Sequence, residues 1–229
     1  MAYISPWEGF PKTRVALDAN GKRSFIVRPR VLTPFRAKTA EFLATLLVLA
    51  FILIGFAYLA SAMPDAELWV WLGAVLVPWI FRPVIHGITS GLLKRETKIV
   101  LTEDTFEVHG LLGRKVYDRK LDHSISIFRH DFAEPEARAL DLRARRAARN
   151  GQIIKTNPYY GDSAVVSYDY LGQRNDVLTA HPKITAHLVL MRLQACDAAL
   201  NSQIGRSDGF ASGPADQWSS EPGDISDND

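Results

Sequence analysis

FLATLLVLAFILIGFAYLASAM, residues 42–63, decides how the rest of the chain is read: 22 residues without a charge. At about 1.5 Å of rise per residue the stretch is roughly 33 Å long as a helix, enough to cross a hydrocarbon core of about 30 Å. Twelve of its first eighteen residues are Phe, Leu, Ile or Val. At about −0.3 to −0.6 kcal/mol each they favour insertion by roughly 4 to 7 kcal/mol. A core helix of a soluble protein would carry a polar face, and none is present. The sequence therefore predicts a membrane protein.

A second apolar run, LWVWLGAVLVPWIF (residues 68–81), follows an acidic turn. Alone it is about 21 Å long and too short to span. Two readings stand: a re-entrant or interfacial segment, or a helix continuing through RPVIHGITSGLL to Leu93. The second is favoured. It leaves Arg82 about 9 Å short of the far edge of the core, within reach of head groups by snorkelling. Trp69 and Trp71 would then lie at the outer interface. Pro78 and Pro83 predict a kink. His86, one turn beyond Arg82, is placed to share a lipid phosphate with it.

Charge orients this hairpin. Lys12, Arg14, Lys22, Arg23, Arg28, Arg30, Arg36 and Lys38 precede the first helix, and Lys94, Arg95 and Lys98 follow the second. The turn holds Asp65 and Glu67 and no cation, so both termini are expected in the cytoplasm. Arg28, Arg30, Arg36, Lys38, Arg82, His86, Lys94 and Arg95 are the candidate membrane-surface and lipid contacts, each near-surface cation contributing about 1 kcal/mol on anionic lipid. The N-terminal segment lacks the basic-then-apolar order of a cleavable signal, so the first apolar run is expected to act as an uncleaved anchor. One cysteine, Cys196, in 229 residues excludes an intrachain disulfide and a cysteine zinc cluster.

Outside the hairpin the periodicity changes. Residues 1–40 read as a cytoplasmic arm with a short β-hairpin turning at DANG (18–21). From Lys94 the pattern has period two. Strands are predicted at 97–102, 105–109, 114–119, 124–130, 152–156, 164–171 and 175–180, with turns at Glu103-Asp104, 110–113 and Gly172, giving an antiparallel meander. EPEARALDLRARRAARNG (134–151) is the strongest helix signal outside the membrane, with Pro135, Glu134 and Glu136 at its start and Gly151 at its stop. Arg138, Arg143, Arg145, Arg146 and Arg149 make it basic enough for nucleic acid, an acidic partner or the membrane surface, although it lacks the aromatic interleaving that single strands need. A last helix runs from Pro182 to about Leu200, with Ile184, Leu188, Met191 and Ala195 expected on its buried stripe. Residues 202–229 are polar with a net charge of −5, an expected disordered acidic tail that leaves +7 on the rest of a +2 chain.

The succession of residues 97–102 with Glu103-Asp104, then 106–110, 111–114 and 115–121, closed by the helix 182–200, resembles bacterial pleckstrin-homology-like domains that follow two-helix membrane hairpins. The resemblance covers about 105 of 229 residues. The Arg-rich helix 134–149 is an insertion that the simple pattern lacks. The resemblance implies an α+β membrane protein of the bacterial inner membrane, multi-pass, with a transmembrane hairpin (41–93) and a small cytoplasmic domain (94–201) that contacts membrane or proteins without being an enzyme. It carries no ligand residues over.

Chemistry is sparse. His123, His130, Asp131 and Glu134 have metal-ligand types at no familiar ligand spacing. Cys196 reads as a small buried side chain rather than a nucleophile. Gly110…Gly113 and Gly87…Gly91 read as a turn and as helix packing. No catalytic constellation and no cofactor are expected. The leading expectation is a scaffold or assembly subunit whose partners are membrane lipids and other membrane or cytoplasmic proteins. A nucleic-acid-contacting membrane protein using the Arg-rich helix is the alternative, and a metal protein centred on His123, His130 and Asp131 is the third.

Overall fold

A computed structural model describes residues 9–17, 22–65, 67–110, 113–153 and 156–204. The expected acidic tail beyond 204, the DANG turn and parts of the turn at 110–113 and of the strand expected at 152–156 lie outside these residues. Of that strand, Gln152 and Ile153 are described and are not in a strand.

The elements in order are β1 (Lys12–Leu17), β2 (Arg23–Arg28), β3 (Arg30–Val31), α1 (Pro34–Ala62), α2 (Leu68–Ile80), α3 (Arg82–Leu93), β4 (Arg95–Glu96), β5 (Lys98–Leu101), β6 (Thr105–Gly110), β7 (Gly113–Asp118), β8 (His123–Arg129), α4 (Ala133–Arg149), β9 (Ala164–Tyr170), β10 (Gln173–Ala180) and α5 (Lys183–Ile204). The protein is α+β, with every strand pairing antiparallel.

The helical hairpin departs from the expectation at its base. The first helix begins at Pro34, eight residues before the apolar run. Thr33 caps it by accepting from the Arg36 amide at 3.4 Å, and Pro34 occupies the first turn, where no donor is needed. The segment 68–93 is one helical run interrupted at Phe81. Pro83 supplies no amide for the Trp79 carbonyl, and the ladder resumes with the Ile85 amide donating to Phe81 at 3.1 Å. Pro34–Ala62 and Leu68–Leu93 are both long and apolar enough to cross a membrane, with mean hydropathies of 2.6 and 1.7. Ala37, Ala40, Ala44 and Val48 form a small-residue stripe on α1. Thr89 on α3 donates to the Ala40 carbonyl at 3.2 Å. Higher up, a Cβ at Gly55 would stand 3.5 Å from Ala74, so α1 and α2 approach closely. The opposite faces expose Leu53, Ile54, Leu68, Trp69, Trp79 and Ile80.

Two sheets make the globular part: β1-β2-β5-β6-β7 and β10-β9-β8. The N-terminal hairpin is therefore no separate arm, because Phe25, Ile26 and Val27 pair with Leu101, Val100 and Ile99. Phe25, Val27, Ile99, Leu101 and Phe106 from the first sheet meet Val166 and Tyr168 from the second in one core, closed by α5. The buried stripe of α5 is Ala186, Val189, Leu193, Cys196 and Leu200. The expected stripe faces the other way: Ile184, Leu188 and Met191 are exposed and Ala195 only half-buried. The reason is that the buried face also carries Arg192, Asp197 and Asn201, which hide its apolar periodicity. At the β9–β10 turn, Leu171 (φ 51°) and Gly172 (φ 75°) are both left-handed, as a tight two-residue hairpin requires.

Candidate site at the junction of hairpin and sheets

The hairpin and the sheets join without slack. β3 ends three residues before Pro34, β4 begins two residues after Leu93, and β3 pairs with β4. Arg30 donates to the Gly91 carbonyl and Arg36 to the Leu93 carbonyl, each at 3.2 Å. Both guanidinium groups thus meet the negative end of α3, whose last carbonyls lack helical partners. Leu32 bridges to His181 beside the start of α5.

A cavity of about 1140 Å³ lies in this junction. Arg30, Arg82, His86 and Lys94 line it, so half of the expected membrane-surface residues are brought together. Arg28, Arg36, Lys38 and Arg95 stand outside it: Arg28 lies 3.7 Å from Glu96 on the surface, and Lys38 projects into solvent. Arg82 reaches Glu41 at 3.6 Å, with its guanidinium carbon 5.4 Å from the centre of the Trp79 ring. Glu41 is the last charge before the apolar run. Arg82 has thus found both a counter-ion and an aromatic face, which lowers the cost of a cation near a hydrocarbon boundary.

Sequence reasoning missed the far wall. Tyr159 donates its hydroxyl to Glu41, and Lys183, His181 and Asp162 complete the lining. The loop carrying Tyr159 is held from behind by Glu136 of α4. Its carboxylate accepts from the amides of Tyr159 (3.0 Å), Tyr160 (2.6 Å) and Gly161 (2.7 Å). A charged acceptor gripping three successive amides is a strong latch, and it fixes the base of the Arg-rich helix to the cavity wall. That role was invisible in sequence, where Glu136 read only as a helix-start residue.

The Arg-rich helix is otherwise loosely held. Of α4, only Ala133 and Ala147 are buried. Arg138 pairs with Glu134 and Arg145 with Asp141, one turn apart. Arg143, Arg146 and Arg149 are exposed and have no ion pair among the described residues.

The metal-type residues are separated. His123 and His130 flank opposite ends of β8. His130 lies against Tyr160 and Phe132, and burial holds its ring below the usual range. Among the described residues no group of three or more His, Cys, Asp or Glu is arranged to hold a metal ion. His123 instead belongs to a buried polar knot. Arg119, only 1% exposed, donates to the Asp197 carboxylate at 3.0 and 2.6 Å, to Asn201 at 3.0 Å and to the Thr102 carbonyl at 2.5 Å. His123 lies 3.5 Å from the same carboxylate and 2.8 Å from the Leu121 carbonyl. Burial works to lower the His123 pKa, but these two acceptors outweigh it and the net shift is upward. Burial likewise pushes Asp197 up, and His123 and Arg119 together hold it below its ordinary value. The knot ties the five-stranded sheet to α5. Burial pushes the Cys196 thiol up to about 12, so it is a poor thiolate at neutral pH.

The class defined by this architecture is an α+β protein in which an apolar helical hairpin is built directly into the sheets. Comparison with known proteins gave no matching family model, no matching curated protein and no matching solved structure.

Proposed function

We propose that this is a non-enzymatic membrane scaffold or assembly subunit. The hairpin crosses the bilayer, both termini face the cytoplasm, and the sheets with α5 form a pleckstrin-homology-like domain presented to partner proteins at the membrane surface. The observation that carries this reading is the rigid joint. With β3–β4 paired across the base of the helices and Arg30 and Arg36 capping α3, the domain has no linker on which to swing. A module held at one attitude to the bilayer suits the display of a fixed surface, whereas a tethered module searching for a soluble ligand needs slack. The exposed apolar faces of the hairpin need covering, and lipid is the cover that their length fits. The positive-inside count supports the orientation, and a bacterial inner membrane is the compartment that the resemblance suggests.

The test has two arms. Alkaline carbonate extraction with tags at each terminus should leave the protein in the membrane, with both tags shielded in intact cells. Chemical cross-linking in native membranes should then give species heavier than the 25.5 kDa chain. A tag accessible from outside overturns the topology, and a lone chain under every cross-linker overturns the scaffold.

A further inference from the structure

We infer that the junction cavity is a binding site for the phosphate-bearing head group of an anionic phospholipid. The inference rests on the membrane reading above and adds a specific ligand site to it. Four cations, Arg30, Arg82, Lys94 and Lys183, line the cavity against two carboxylates, Glu41 and Asp162. Glu41 is already engaged by Arg82 and by the Tyr159 hydroxyl, so its charge is answered from within the wall. Arg30 and Arg82 are likewise committed, to the Gly91 carbonyl and to Glu41. Lys94 and Lys183 are not: the side-chain ammonium of neither has an ion pair or hydrogen bond among the described residues. They come from different elements, one just after α3 and the other in the first turn of α5, where the helix adds its positive end.

Position and shape supply the independent observation. The cavity includes Glu41, immediately before the apolar run, and Arg82 and Pro83, immediately after the second one. The same lining reaches Arg30 and Lys94 at the ends of the helices, and with the second span running to Leu93 that end lies at the level of phospholipid phosphates. A volume of about 1140 Å³ is far larger than one phosphate needs, and apolar Phe10, Leu32, Pro158 and Leu188 share the lining. An anion joined to an apolar body fits that lining better than a free anion does.

The experiment uses the full chain in mild detergent with equimolar dioleoylphosphatidylglycerol and dioleoylphosphatidylcholine, read by native mass spectrometry. Two near-surface lysines at about 1 kcal/mol each predict an anionic-lipid preference of roughly tenfold or more. K94Q/K183Q should bring that preference to within about twofold of unity. K12Q/K115Q removes the same charge outside the cavity, at two exposed strand positions, and should leave it unchanged. Far-UV circular dichroism on both variants separates lost binding from lost fold. Inorganic phosphate alone, added at millimolar concentration, should not displace the lipid. Absent preference in the wild-type chain, an equal loss in both variants, or displacement by inorganic phosphate each overturns the assignment. Carbonate extraction is independent of it: a protein that resists extraction but shows no preference loses this site and keeps the membrane reading.

Discussion

Arg119 is the side chain whose removal the structure makes most consequential. Its guanidinium is 1% exposed and spans Asp197, Asn201 and the Thr102 carbonyl. Arg119→Met keeps the stem's bulk and deletes the charge, stranding a buried Asp197 carboxylate with only His123 and Asn201 beside it. Breaking a buried pair in this way costs about 3–5 kcal/mol, mostly from the charge left behind. For a chain of this size each kcal/mol moves the melting temperature by about 2–4 °C, so a fall of roughly 6–20 °C is expected. Asp197→Leu alone should cost a similar amount. The double variant R119M/D197L should recover most of the loss, because an apolar replacement strands no charge. Thermal unfolding in detergent, followed by near-UV circular dichroism of the buried Tyr168 and its ring neighbours, reads all four corners of the cycle. Single losses that simply add in the double variant would refute the reasoning, because they would mean that the pair is not coupled.

The same knot predicts a pH window. His123 is shifted upward, so its contribution is fully present below about pH 6.5, the unperturbed histidine value, and is lost as pH rises through the raised one. Asp197 is shifted downward, so its contribution is present above the ordinary carboxylate range and fades as pH falls through the depressed value. Melting temperature should therefore decline on both sides, and His123→Gln should abolish the alkaline limb alone. Glu136→Ala should release the amides of Tyr159, Tyr160 and Gly161, each hydrogen bond to the carboxylate contributing about 1.5–3 kcal/mol. Hydrogen exchange at those three amides should quicken while β9 stays protected, and unchanged protection there would contradict the latch. Leu171 holds φ 51° at the β9–β10 turn, at a cost of about 1–2 kcal/mol for a branched side chain. Leu171→Gly or Leu171→Asn should raise the melting temperature, and a fall would mean that the turn is not strained.

How much of this was legible depended on whether the deciding interaction was local. The two apolar runs, the charge-poor turn between them, the strands from β5 to β8 and the start of α4 are each set by the pattern of contiguous residues, and the structure has them. The extension of α1 back to Pro34 is also written locally, in the Thr33 cap, although the residues between the cap and the apolar run are mixed in polarity. The face of α5 was not legible. A helix that buries Arg192, Asp197 and Asn201 while exposing Ile184, Leu188 and Met191 gives no usable moment, and only the knot around Arg119 explains the inversion.

By itself the sequence determined the lengths of the apolar segments, their flanking charge and the antiparallel patterning, because insertion length, the positive-inside bias and period-two alternation are properties of contiguous residues. Only the tertiary structure decided that β2 joins β5, that Arg82 meets Glu41, and that Lys94 and Lys183 face one cavity. Those partners are separated by 41 residues or more, and what brings them together is the closure of two sheets and a hairpin around a shared base. No local pattern records that closure.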